Sequence, residues 1–137
     1  MMKSTLVDVL EVTHYEQSKT RCETISDPGW HQIESEIRTM HRMSKPLVSL
    51  LQDRDNPGSN MLTVTGGAGI YHVQTANDRA QWQWAFDPEG STDEIEIWQS
   101  DQGFSPPRNW TWALGDTLRI VRHYFQTGAS HPDFDWM

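Results

Sequence analysis

From Thr5 to Val12 (Thr-Leu-Val-Asp-Val-Leu-Glu-Val) apolar and β-branched residues half alternate with polar ones, which predicts a first strand. Residues 13–25 are polar and read as a loop or a sheet edge. Asp27-Pro28 has the form of a helix start. The aspartate can accept hydrogen bonds from the orphan amides, and proline at the first helical position loses no bond. Trp30, Ile33, Ile37 and Met40 then recur at helical spacing with Glu34, Glu36 and Arg38 largely opposite, and Met43–Pro46 ends the helix. Leu47–Leu51 is a short apolar run, and residues 52–60 form a turn region. Met61–Thr65 and Ile70–Gln74 are predicted strands flanking Gly66-Gly67-Ala68-Gly69.

Period-two alternation returns at Ala80, Trp82, Trp84 and Phe86, with Gln81 and Gln83 on the other side. Alternating aromatics on a strand are expected to face a core. Asp87-Pro88-Glu89-Gly90 is a turn signal, because proline presets its φ and glycine admits positive φ. From Asp93 to Trp98 a second strand is predicted, with Ile95 and Ile97 inward and Glu94, Glu96 and Trp98 outward together. After the break at Pro106-Pro107, a last helix is predicted from about Trp110 to Thr127. Its apolar stripe is Trp110, Leu114, Leu118, Val121 and Phe125, Gly115 weakens it, and Gly128 is its left-handed cap. The tail, His131 to Met137, carries Phe134 and Trp136. Consecutive strands, short turns and two helices predict an α+β fold, an antiparallel or mixed sheet packed by two main helices.

Length adds that residues 1–137 are a single domain, since domains commonly hold about 100–150 residues. The hydrophobic fraction is a modest 36%, and seven tryptophans partly compensate for it with large buried rings. A single cysteine, Cys22, leaves no intrachain disulfide and no cysteine-rich zinc site. The first residues lack the pattern of a signal peptide and no run reaches the length of a membrane span, so a soluble, cytoplasmic protein with no membrane partner is expected.

Charge changes the picture most. Of a formal net charge of -8, the segment from Asn77 to Gly103 carries -6: Asp78, Asp87, Glu89, Asp93, Glu94, Glu96 and Asp101 stand against Arg79 alone. Such local acidity speaks of partners more than of fold, and it argues against direct binding of nucleic acid, whose phosphates require Lys and Arg. Glu94, Glu96 and Trp98 together have the character of a docking surface.

Catalytic signals are weak by comparison. The Gly66–Gly69 run lies between two strands and lacks the spacing of a phosphate loop, so it reads as a hairpin connection. The histidines (His14, His31, His41, His72, His123, His131) show no metal-ligand spacing. Cys22 has His14, His31 and Asp27 near it in sequence, without the geometry that nucleophilic catalysis needs. Paired carboxylates, Glu94 with Glu96 or Asp53 with Asp55, are ordinary on turns and solvated strands. No catalytic residue, metal or cofactor is expected.

A set of anchor residues carries a resemblance. Trp30-His-Gln-Ile33 with Glu34 leads a helix ending near Met40, and a strand runs into Gly66-Gly67. Gln102-Gly103 and Pro106-Pro107-Arg108 follow, then a helix closing on Phe125-Gln-Thr-Gly128, then His131-Pro132 and Asp135-Trp136. From about Trp30 to Trp136 the chain resembles the first-described immunity-protein family of bacterial polymorphic toxin systems. The resemblance implies a small cytosolic α+β protein that binds a cognate secreted toxin and blocks its active site. Many toxins paired with that family are nucleic-acid deaminases. The matching positions Gly66, Gly67, Gly103, Gly128 and Trp136 look structural, so the resemblance transfers fold and role but no active-site residues. Charge complementarity with a basic, nucleic-acid-acting toxin selects the contacts: Trp98 as anchor, Glu94 and Glu96 as charge partners, and Asp87, Glu89 and Asp101 as rim. Two other readings stand beside it: a small cytosolic hydrolase using scattered His and carboxylates, and an acidic adaptor for a basic partner protein unrelated to toxins.

Overall fold

Leu10, Leu50, Leu62 and Thr75 stand opposite one another on four neighbouring strands, and Val12, Val48, Val64 and Val73 form the next row. All eight are buried, and they floor the main core. Each aliphatic side chain removed from water in this way contributes about 1.5–3 kcal/mol. The computed structural model that shows this packing describes residues 7–16, 19–41, 43–53, 55, 60–77, 81–97 and 105–137.

In chain order the elements are β1 (Val9–Glu16), β2 (Lys19–Ser26), α1 (Trp30–Arg38), β3 (Leu47–Leu51), β4 (Met61–Gly67), β5 (Ile70–Ala76), β6 (Trp82–Phe86), a 3-10 turn (Arg108–Trp110), α2 (Leu114–Thr127) and β7 (Asp135–Trp136). The strands pair antiparallel throughout in the order β2-β1-β3-β4-β5-β6-β7. Both helices pack on one face of this sheet and touch each other, with the Trp30 and Phe125 rings 5.9 Å apart. The fold is therefore α+β, a single antiparallel sheet with two helices. Among the described residues no helix is long and apolar enough to cross a membrane.

Helix α1 buries Ile33 and Ile37 as its periodicity predicts, but it begins at Trp30 with Gly29 as its N-cap. Asp27 does not cap it. Its amide closes the end of β2 by donating to the Asp8 carbonyl (2.9 Å), and its φ is +49°. The Gln32 side chain accepts the Gly29 amide instead (3.0 Å). The predicted edge or loop over residues 13–25 holds the end of β1 and most of β2, an exposed outermost strand.

The last helix also starts later than the stripe predicts. Trp110 belongs to the 3-10 turn, and α2 buries Thr117, Ile120, Val121 and Tyr124, with Leu114, Leu118 and Phe125 on its flanks. Gly128 caps it at φ +74°, its amide donating to the Tyr124 carbonyl (2.7 Å). Gln52, at the end of β3, ties this end down by donating to Tyr124 Oη and to the Gly128 carbonyl. Burial pushes the Tyr124 phenol up to about 12.

Two readings are corrected at β6. Thr75 pairs with Gln83, which sets Gln83 and Ala85 on the helix face and Trp82, Trp84 and Phe86 on the other. Ala85 is fully buried while Trp82 is 43% exposed, so the tryptophan alternation does not point into the main core. The physical reason is room. Trp112, Phe134 and Trp136 already fill the helix side there, and Trp112 Nε1 donates to the Ala85 carbonyl (3.3 Å). Ala80 lies outside the described residues. The second correction is that residues 93–97 do not form a strand beside β6, because the tail takes that edge: Ala85 pairs with Trp136 and Phe86 with Asp135.

Candidate functional site

Denied the edge of β6, the acidic segment finds another partner. The turn at Asp87 forms as predicted, with the Gly90 amide donating to the Asp87 carbonyl (3.1 Å) and the Glu89 amide to Asp87 Oδ1 (2.9 Å). Residues 91–95 then run antiparallel to 105–109. The Asn109 amide donates to Ser91 O (2.8 Å), Arg108 N to Asp93 O (2.6 Å) and Ile95 N to Pro106 O (2.9 Å). Glu94 and Pro107 form an isolated bridge. Prolines at 106 and 107 offer carbonyls but no N–H, so the pairing stays a short irregular ribbon and does not become a regular hairpin.

Asn109 pins this ribbon to the sheet. Its carbonyl accepts the Asp87 amide (2.8 Å), and its Nδ2 donates to the Asp87 carbonyl (3.2 Å). Trp110 then lies over the sheet face opposite the helices, with its ring 4.7 Å from Trp84. The Trp110 carbonyl is 2.9 Å from Nδ1 of buried His72, whose pKa is lowered by burial, with the bond to that carbonyl acting the other way. Sequence reasoning missed these anchors. The available signal was a Pro-Pro pair followed by Asn109 and Trp110, opposite the acidic run.

The predicted alternation survives on the ribbon. Ile97 is fully buried and Ile95 half-buried, while Glu94 and Glu96 are exposed. Glu89 and Asp93 are exposed too, and Asp87 is half-buried in the turn. The turn and ribbon thus carry Asp87, Glu89, Glu94 and Glu96 on one continuous segment. Trp98 and Asp101, the expected anchor and one rim residue, lie outside the described residues. Among the described residues Glu89, Asp93 and Glu94 make no ion pair.

Between the ribbon, the β4–β5 turn and the start of α2 is a cleft of about 420 Å³, lined by Ile70, Asp87, Arg108, Asn109, Thr111 and Asp116 among others. Asn109 Oδ1 is buried and has no hydrogen-bond partner among the described residues. Elsewhere, Cys22 and His14 point to opposite faces of the sheet: Cys22 pairs with Thr13 in register, and His14 sits 3.1 Å from Glu23. The Cys22 thiol donates to Glu11 Oε2 (3.3 Å), and burial followed by that glutamate pushes its pKa up. That is the reverse of what activates a thiol. The His123 and His131 rings meet at a tilt with centroids 4.6 Å apart, and burial and then His123 lower the pKa of His131. Among the described residues, no three His, Cys, Asp or Glu side chains group as a metal-ligand set.

The positions that carry the family resemblance serve the fold where they are described: Gly66 and Gly67 in β4 at positive φ, Gly128 as a helix cap, and Trp136 with its Nε1 donating to the His131 carbonyl (3.0 Å). Gly103 lies outside the described residues. No family model matches this sequence, and no curated protein does. The fold is similar to that in the crystal structure of a hypothetical protein from Neisseria gonorrhoeae, with a TM-score of 0.63 over 96% of this chain and 94% of that one. At 13% identity the likeness is one of fold alone.

Proposed function

We propose that this chain is an immunity protein that binds a cognate secreted bacterial toxin, of the kind that acts on nucleic acid, and blocks its active site by protein–protein contact. The observation that carries the reading is the ribbon: Glu89, Asp93, Glu94 and Glu96 are exposed on one segment held by backbone hydrogen bonds. A toxin that handles phosphates needs a basic cleft, and a pre-ordered acidic ribbon can enter one with little entropy left to lose. Trp110, which follows the ribbon in the chain, packs its half-buried ring against Trp84.

Co-expression with the neighbouring toxin gene tests the role: rescue of growth and co-purification are expected. Glu94→Lys with Glu96→Lys is expected to weaken binding by at least about tenfold, mainly through slower association, with the circular dichroism spectrum unchanged. Unaltered affinity would remove the ribbon from the interface. A toxin that neither binds nor is neutralised would remove the role itself.

A further inference from the structure

At the opposite end of the sheet, β2 is an outermost strand of eight residues, seven of them exposed, and among the described residues nothing pairs with its outer side. Edges this long normally carry charges that discourage pairing with other chains. Here the charges are Lys19, Arg21 and Glu23. The bond from the Asp27 amide to the Asp8 carbonyl sets the phase of the β1–β2 ladder. In that phase Lys19, Arg21, Glu23 and Ile25 turn their backbone groups toward β1, and Thr20, Cys22, Thr24 and Ser26 turn theirs outward.

We propose that this edge pairs antiparallel with the same edge of a second copy of the chain, with Cys22 on the two-fold axis. The pairing is isologous, so every contact occurs twice. In this register Arg21 stands opposite the partner's Glu23, Thr20 opposite the partner's Thr24, and Lys19 opposite the partner's Ile25. The Arg21–Glu23 pairs fall at positions without a direct hydrogen-bond ring, where side chains come closest, about 4.5 Å between Cα atoms. Sliding by two residues in one direction would set Arg21 against Arg21, and in the other Glu23 against Glu23. Like charges directly opposite are unfavourable, so the charge pattern itself selects the Cys22-centred register. A groove of about 350 Å³ beside this edge, lined by Ile25, His31, Gln32, Ser35 and Glu36, gives the aliphatic stem of the partner's Lys19 somewhere to lie.

The acidic ribbon leaves the sheet at the end of β6, five strand spacings from β2 and about 24 Å away, so the dimer leaves both ribbons free.

Sedimentation of the full chain over a concentration series is expected to show a monomer–dimer equilibrium. Arg21→Glu should raise the dimer dissociation constant by at least about tenfold, and Arg21→Glu with Glu23→Arg should bring it back to within about threefold. A second measurement does not rely on those variants. Cys22 thiols on the axis are about 5.5 Å apart at Cα, inside disulfide range, so mild oxidation should cross-link the unaltered chain. In Cys22→Ser with Thr24→Cys the thiols stand some 13 Å apart and should not cross-link. A monomer at every concentration, a dimer indifferent to Arg21→Glu, or equal cross-linking from position 24 would each overturn the proposal.

Discussion

A Cβ on Gly67 would lie 2.6 Å from the backbone of both Met40 and His41, atoms that cannot rotate aside. The residue also sits at φ +128°, where an L side chain is strained in any surroundings. This is where the β4–β5 turn is locked to the end of α1, with the Ala68 amide donating to the Met40 carbonyl (3.3 Å). Gly67→Ala is expected to cost about 3 kcal/mol or more, lowering the urea midpoint with little change in its slope. His72 makes a second residue-scale prediction. Its folded pKa is depressed below the ordinary value of 6.5 by burial, so the unfolded chain binds the extra proton first. Stability from this group is therefore full above about pH 7.5 and falls as the pH drops through 6.5 toward the folded value. His131, also depressed, adds to the same slope. Unfolding free energies measured across that range should decline with acidity, and His72→Phe should make the decline shallower. An unchanged slope would show that His72 takes its proton equally in both states.

Elements with a strong local pattern were legible in the sequence: the β4–β5 hairpin around its glycines, the Ile33/Ile37 face of α1, and the Gly128 cap. What escaped was decided by competition between distant segments. Alternation at Trp82, Trp84 and Phe86 marks a strand but cannot tell which face has room, and residues from 112 to 136 had taken the helix side. At two residues, β7 is too short to carry a period, yet it holds the edge that the acidic segment was expected to share. The ribbon therefore owes its order to Asn109, three of whose backbone and side-chain hydrogen bonds bind it to Asp87 and Ser91. Asn109→Ala removes the side-chain bond, at a cost of about 1 kcal/mol. Hydrogen exchange should quicken at the Asp87, Ile95 and Arg108 amides while the β3–β4 ladder stays protected. A uniform rise in exchange would mean instead that the residue supports the whole fold.

At the scale of the molecule, charge is distributed as sharply as structure is. Five carboxylates, Asp87, Glu89, Asp93, Glu94 and Glu96, follow β6 near one end of the sheet, whereas the edge strand at the other end carries both signs. A field set up in this way orients a basic partner before contact, which raises the association rate more than the final affinity. For the proposed toxin complex this separates the two rate constants experimentally. Between about 0.05 M and 0.5 M salt the screening length shrinks from beyond the ribbon's width to a few ångströms. The association rate should then fall by at least about tenfold, while dissociation, governed by desolvated contacts, changes by less than about threefold. Glu94→Lys with Glu96→Lys should start slow and lose most of this salt dependence, because the steering charge is gone. If salt acted equally on dissociation, or the variant kept the full dependence, the ribbon would not be the steering element, and the acidity of the segment would need another partner to account for it.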